Sequence, residues 1–187
     1  MLVKTHMLKD INMLHNQVVN YKFLFLLLVG CILCNAVNAE DYKDPKVAII
    51  VNKKSSLDTL TMKQLKKIFR ADLKYWKADN KRIILLLRSS GTPEKAIALK
   101  RIFEMSERDL KKHWTAKIFE QKLVKAPKAI KHSRSAKVLV SKIPSSISLV
   151  VVKNNEELAE LNKTVKVLTI EGSSVSSKNY ILTKSLF

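Results

Sequence analysis

Cysteine, glycine and proline are scarce in these 187 residues: 2 Cys, 3 Gly and 4 Pro. So few glycines exclude a collagen-like chain and a glycine-rich phosphate loop, and any backbone cradle for an anion must use few of them. Acidic residues are also in deficit, 16 Asp+Glu against 35 Lys+Arg, which leaves a formal charge of +19. That surplus points to an anionic partner without naming one. Apolar residues (47%) and charged residues (27%) are present in ordinary measure, which argues against a disordered tail. The length fits one domain, or one domain behind a processed leader.

Both cysteines, Cys31 and Cys34, belong to the N-terminal leader. The apolar run starts at Phe23, is preceded by Lys4, Lys9 and Lys22, and ends in Val37-Asn38-Ala39 before Glu40-Asp41. This is the layout of a secretory signal peptide over residues 1–39, and the run falls short of the about 20 apolar residues of a membrane span. Cleavage after Ala39 removes both cysteines, so the mature chain, residues 40–187, holds neither a disulfide nor a thiolate metal site. It also removes three lysines and one aspartate, lowering the +19 to +17, so the positive charge belongs to the folded domain. Two rival readings stay open. Leu28-Val29-Gly30-Cys31 resembles a bacterial lipobox, in which Cys31 becomes the lipidated N-terminus, and an uncleaved anchor helix is the third alternative. The long stretch before Lys22 leaves Met7 or Met13 as alternative starts.

Beyond the leader, strand-like and helix-like patterns alternate. Val47–Val51 is a continuous apolar, largely β-branched run and reads as a buried strand, followed by a polar loop over 52–60. Thr61 with Gln64 forms a capping box for a helix carrying Leu65, Ile68 and Phe69 on one face and ending near Ala71. Arg82–Arg88 reads as a second buried strand. Thr92 then caps, with Pro93 at the first helical position, a helix bearing Ile97, Leu99, Ile102 and Phe103. Ser106 with Asp109 caps a third helix, in which Leu110, Trp114 and Ile118 recur every four residues. Pro127 closes a loop. Ser135–Ile143 reads as a short helix with Val138 and Leu139 inside, Ile147–Val152 as a strand, Glu156–Leu161 as a helix and Val165–Ile170 as a last strand. The alternation implies an α/β fold with a mainly parallel or mixed sheet flanked by helices. Ligands on such sheets bind beyond the C-terminal strand ends, which directs attention to the junction after Leu87.

Residues Pro45 to Thr92 resemble the middle of the phosphate-binding periplasmic proteins of ABC transporters. The matching motifs are Leu60-Thr61-Met62-Lys63-Gln64-Leu65-Lys66-Lys67-Ile68-Phe69, then Lys74-Tyr75-Trp76, then Arg88-Ser89-Ser90-Gly91-Thr92. Phe103–Ser106, His113-Trp114 with Ile118-Phe119, Ile147–Val150 and Val165–Gly172 are similar to a short, single-domain subgroup, so the resemblance covers most of 45–172. It implies a type II periplasmic binding protein fold, truncated relative to a family that grips phosphate between two lobes. The loops that supply Ser, Thr and Asp from the other lobe lie upstream of the matched segment, so half of the clamp is expected here. The loop after Arg88 lacks the family's acidic residue. Glycines expected near Phe119 and Ile147 are replaced by Glu120 or Gln121 and by Ser148.

The candidate oxyanion site is therefore Arg88, Ser89, Ser90, Gly91 and Thr92. Arg88 offers a two-pronged donor, the three hydroxyls and the first-turn N–H groups offer more, and Gly91 allows close backbone approach. The bland alternative is a Ser-Gly-Thr-Pro cap beside an arginine that snorkels at a strand end. His113, His132, His6 and His15 lack metal-ligand spacing, Asp58 and Asp72 do not form a carboxylate pair, and no catalytic triad can be assembled. Trp76, Trp114, Phe69, Phe103 and Phe119 read as core or hinge packing. Dense lysines at 63–81 and 122–137 read as solvated faces.

The expectation is a secreted or periplasmic, non-enzymatic protein that binds phosphate or a similar oxyanion without a cofactor or metal, linked to an ABC transporter or another envelope component. The alternative is a basic envelope interaction protein that kept the fold and lost the small ligand. A nucleic-acid partner is disfavoured by the leader and by the absence of any recognisable nucleic-acid module.

Overall fold

A computed structural model describes residues 41–183. The leader reading, with Cys31, Cys34, Ala39, His6 and His15, lies outside the described residues. In chain order the elements are β1 (Asp41–Val51), β2 (Thr59–Leu60), α1 (Met62–Phe69), β3 (Ile84–Arg88), α2 (Pro93–Ala98), a π-helical turn over Leu99–Phe103, α3 (Glu107–Phe119), β4 (Lys128–Ile130), α4 (Ser133–Lys142), β5 (Ser146–Asn154), α5 (Asn155–Thr164) and β6 (Lys166–Ile170). The strands form one sheet in the order β2-β6-β1-β5-β3-β4. Strand β1 is antiparallel to both β5 and β6, and the remaining pairings are parallel. The expected mixed α/β sheet is what the chain forms.

The two central strands are the two apolar runs. Val47–Val51 pairs with Val151–Ile147, and Val47 to Val51 and Ile147 to Val150 are buried throughout. A strand buried on both faces needs no alternation, which is why these read as unbroken runs. The caps form as their sequences require. In α1 the Thr61 hydroxyl accepts from Gln64 N (3.1 Å) while Gln64 Oε1 accepts from Thr61 N (2.8 Å). Leu65, Ile68 and Phe69 then face the core. Phe103 packs edge-on against Phe69 (6.0 Å) and Trp114 (6.3 Å), tying α1, the π-turn and α3 into one aromatic cluster.

Several expectations are corrected. The stretch 52–60 ends in β2, and β4 follows Pro127, strands of two and three residues that are too short to carry a periodic signal. Helix α4 starts at Ser133 and buries Ala136 and Val140, one turn apart, leaving Val138 44% exposed on the other side. Ile118 is 38% exposed and Phe119 is 89% exposed, so neither belongs to the core. Beyond Gly172, where the sequence pattern ends, Val175, Tyr180 and Leu182 are buried, and Tyr180 Oη donates to Val47 O (2.9 Å).

Glycine scarcity has a backbone consequence. Gly91 and Gly172 adopt positive φ, but so do Ala71 (φ 56°), which ends α1, and Gln121 (φ 55°), which ends α3. After α3, Lys122 N and Leu123 N both return to Lys117 O (2.9 and 3.0 Å), a closed helix end that glycine adopts without strain. Glu120 and Gln121 are the two positions at which the resemblance leads one to expect a glycine, and of the two Gln121 has the positive φ. The left-handed conformation costs a residue with Cβ about 1–2 kcal/mol, partly offset by the entropy that glycine loses on folding. Gln121→Gly is therefore expected to stabilise the protein by about 0.5–1 kcal/mol and to raise its thermal midpoint by about 2 °C, measured by calorimetry.

Candidate functional site

Strand β3 ends at Arg88 beside the start of α2, and Arg88 does not snorkel. It is 2% exposed, and its Nη2 lies 3.4 Å from Oε1 of Glu94, itself 2% exposed. The same Nη2 donates to Ser133 Oγ (2.9 Å) and Lys131 O (3.2 Å). Ser133 Oγ passes a hydrogen bond to Glu94 Oε1 (2.8 Å), which also accepts from Val151 N (3.3 Å). A buried charge must be met by an opposite charge or by hydrogen bonds, and here Glu94 and Ser133 meet half of the guanidinium. Arg88 Nε and Nη1 are buried without a partner.

Arg88 also lines a cavity of about 160 Å³ with Ser89, Ser90, Lys95, Glu107 and Lys111. The motif residues divide here. Ser89 and Ser90 reach the cavity, whereas Gly91 and Thr92 do not line it. The Thr92 hydroxyl is spent on the turn, donating to Ser89 O (2.9 Å) and accepting from Lys95 N (3.3 Å) as the α2 cap. The first-turn donors are largely spent as well, since Pro93 has none and Ala96 N bonds Thr92 O (3.1 Å). Gly91 is needed for its φ of 78°; a Cβ there would meet nothing within 4 Å. Ser90 Oγ donates to Glu107 at the start of α3.

Three cavity residues were not legible as site residues: Lys95, Glu107 and Lys111. Lys95 is 8% exposed and lies 5.6 Å from the centre of the Phe103 ring. Burial pushes its ammonium pKa down, Glu107 opposes that shift, and Lys111 adds to it. A lysine at the third position of a helix that follows a buried strand ending in arginine is a usable signal. Glu107 and Lys111 come from another helix and leave no local trace. With Glu94 counted, three cations face two carboxylates, so the cavity has room and charge for one small anion. Its size and donors suit a tetrahedral oxyanion. Among the described residues no group of His, Cys, Asp and Glu could hold a metal ion. His113 instead contacts Arg70 O through Nε2 (3.0 Å), and His132 precedes α4 as its N-cap.

No protein-family model matches the chain, and no curated protein matches it. Solved structures do. A phosphate ABC transporter substrate-binding protein with bound phosphate from Clostridium perfringens superposes with a TM-score of 0.58 at 16% identity, over 74% of this chain and 52% of that one. An ABC-type phosphate transport receptor from Vibrio cholerae gives 0.55 at 16% identity, over 79% and 58%. PstS from Borrelia burgdorferi gives 0.56 at 14% identity, over 74% and 54%. The fold is that of about half of a phosphate-binding protein. At this identity the likeness concerns the fold alone, and the chain spans little more than half the length of these structures.

Removing one member of a buried ion pair strands the other, at about 3–5 kcal/mol, whereas replacing both by groups of similar shape costs far less. Arg88→Ala should therefore lower urea-unfolding stability by about 3 kcal/mol, and Arg88→Met with Glu94→Gln by less than half of that.

Proposed function

We propose that this chain is a non-enzymatic binding domain that holds phosphate or a similar oxyanion at the end of β3, through Arg88, Ser89 and Lys95. The observation that carries this reading is the buried Arg88, with Nε and Nη1 unpartnered, in an anion-sized cavity beside the buried Lys95. The fold shared with phosphate-binding proteins supports it. Gly91 and Thr92 shape the turn instead of touching the anion. The leader pattern supports export to the periplasm after cleavage at Ala39, and the resemblance supports a link to phosphate ABC transport or sensing.

A second reading is favoured by a different observation. Phe119 (89% exposed) and Val124 (85% exposed) stand in a stretch that also carries Lys117, Lys122, Lys125 and Lys128. Such a surface suits an anionic envelope component, and that binding would yield to moderate salt.

Equilibrium binding of labelled phosphate separates the two. Saturable binding that survives moderate salt and falls at least tenfold in Lys95→Met supports the oxyanion site; equal, salt-abolished binding by both proteins sinks it. Lys95 is the preferred substitution because it leaves the Arg88–Glu94 pair intact.

The lysine also sets a pH dependence. Its pKa is lowered in the folded protein, so it loses its proton at lower pH than a lysine in solution. Above about pH 8 phosphate is already a dianion, so a further rise in pH changes the lysine and not the ligand. Phosphate affinity should fall as pH rises through the lowered pKa. Without phosphate the sign reverses: the unfolded chain retains its proton longer, so stability rises over the same interval. Lys95→Met should flatten both profiles.

A further inference from the structure

A larger cavity, of about 720 Å³, lies at the other edge of the sheet from Arg88. Strand β1 runs against its neighbours, so Asn52 at its end lies near Ser146 and Ile84, where β5 and β3 begin. Asn52 and Ser145 line the cavity, and Arg88 lies at the far end of β3. The cavity's apolar wall is Leu57, Leu60, Ile68, Leu73 and Trp76, drawn from the loop after β1, from β2, from α1 and from the segment after it.

Several of the polar groups beside that wall are already engaged. Asn52 Nδ2 donates to Val140 O and Ser141 O (both 2.9 Å), and its Oδ1 accepts from Lys54 N (3.0 Å). Gln64 Oε1 is held in the α1 capping box, and Trp76 Nε1 donates to Ser145 O (3.1 Å). What the wall offers a ligand is therefore mainly hydrocarbon and an indole face. The charged lining residues are Lys54, Lys77 and Lys81 with a single acid, Asp79, and that acid pairs with Lys81 (3.1 Å). Two lysines remain without an acid partner among the described residues. The volume lies within the about 300–1,000 Å³ of pockets that enclose small ligands.

From this combination we infer that the cavity binds an amphipathic anion, an aliphatic chain with one carboxylate, its chain against Leu57, Leu73 and Trp76 and its carboxylate at Lys54 and Lys77. Chain burial supplies the affinity and the lysines select the sign of the head group. The site is separate from the oxyanion site and does not depend on that reading.

The test is calorimetric titration of the full chain with decanoate, and with decyltrimethylammonium as a cation of equal chain length, both below their micellar concentrations. Decanoate is expected to bind once per chain and at least tenfold more tightly than the cation. Lys54→Glu with Lys77→Glu, both exposed and outside the core, should erase or invert that preference. In a Trp114→Phe background the remaining tryptophan, Trp76, should change its emission with the same midpoint. Saturating phosphate and the Lys95→Met substitution should leave decanoate binding unchanged, so that failure at one site is distinguishable from failure at the other. Absence of saturable decanoate binding, equal binding of the two amphiphiles, or indifference to the double charge reversal would each overturn the assignment.

Discussion

The Arg88–Glu94 pair is the constraint from which the upper edge of the molecule is built. Two ions that are each 2% exposed can persist only if each satisfies the other and the remaining donors find oxygen. The satisfaction comes from four elements at once: β3 carries the arginine, α2 the glutamate, α4 contributes Ser133, and β5 the Val151 amide. Moving any of these by an ångström leaves a buried charge short of a partner, so the pair locks the end of β3, the start of α2 and the start of α4 into one geometry. The pair is left incomplete on one side of the guanidinium. Its paired half organises the end of β3, and Nε and Nη1 stay buried without a partner.

The direction of β1 is the second organising fact. With five strands pointing one way and β1 the other, the two edges of the sheet become chemically different places. At one edge, strand ends meet helix starts and cationic side chains converge on a cavity of about 160 Å³. At the other, the loop leaving β1 and the segment after α1 wrap around hydrocarbon. Two cavities of different size can thus coexist in a domain this small, because they are built from different elements.

Much of this architecture was legible, and the boundary of legibility has physical causes. Runs such as Val47–Val51 and Ile147–Val150 declare themselves because burial on both faces removes alternation, and Thr61, Thr92 and Ser106 declare helix starts because unpaired N–H groups need a local acceptor. Edge strands β2 and β4 were illegible because two or three residues take their conformation from a neighbouring strand. Val138 was misassigned because α4 begins two residues earlier than expected and turns a different face inward. In the candidate site, Arg88, Ser89 and Ser90 could be named from a motif as residues at the strand end, and Thr92 was named both as a helix cap and as a ligand contact, of which the structure shows the cap. Glu107 and Lys111 could not be found by spacing, because their approach to Lys95 is a property of how α2 and α3 pack.

Charge balance bears on whether the cavity at the end of β3 suits the anion proposed for it. A cavity holding two cations and two acids would offer an incoming dianion no net attraction, and one with three uncompensated cations would be too costly to fold. Arg88, Lys95 and Lys111 against Glu94 and Glu107 lie between these limits. The cost appears in Lys95, whose pKa is depressed by burial and by Lys111 and only partly restored by Glu107. A depressed lysine is a group that gains from receiving an anion, because the anion restores the hydration-like stabilisation that burial removed. On the proposed reading, an anion at Lys95 would offset part of the cost that burial places on its charge.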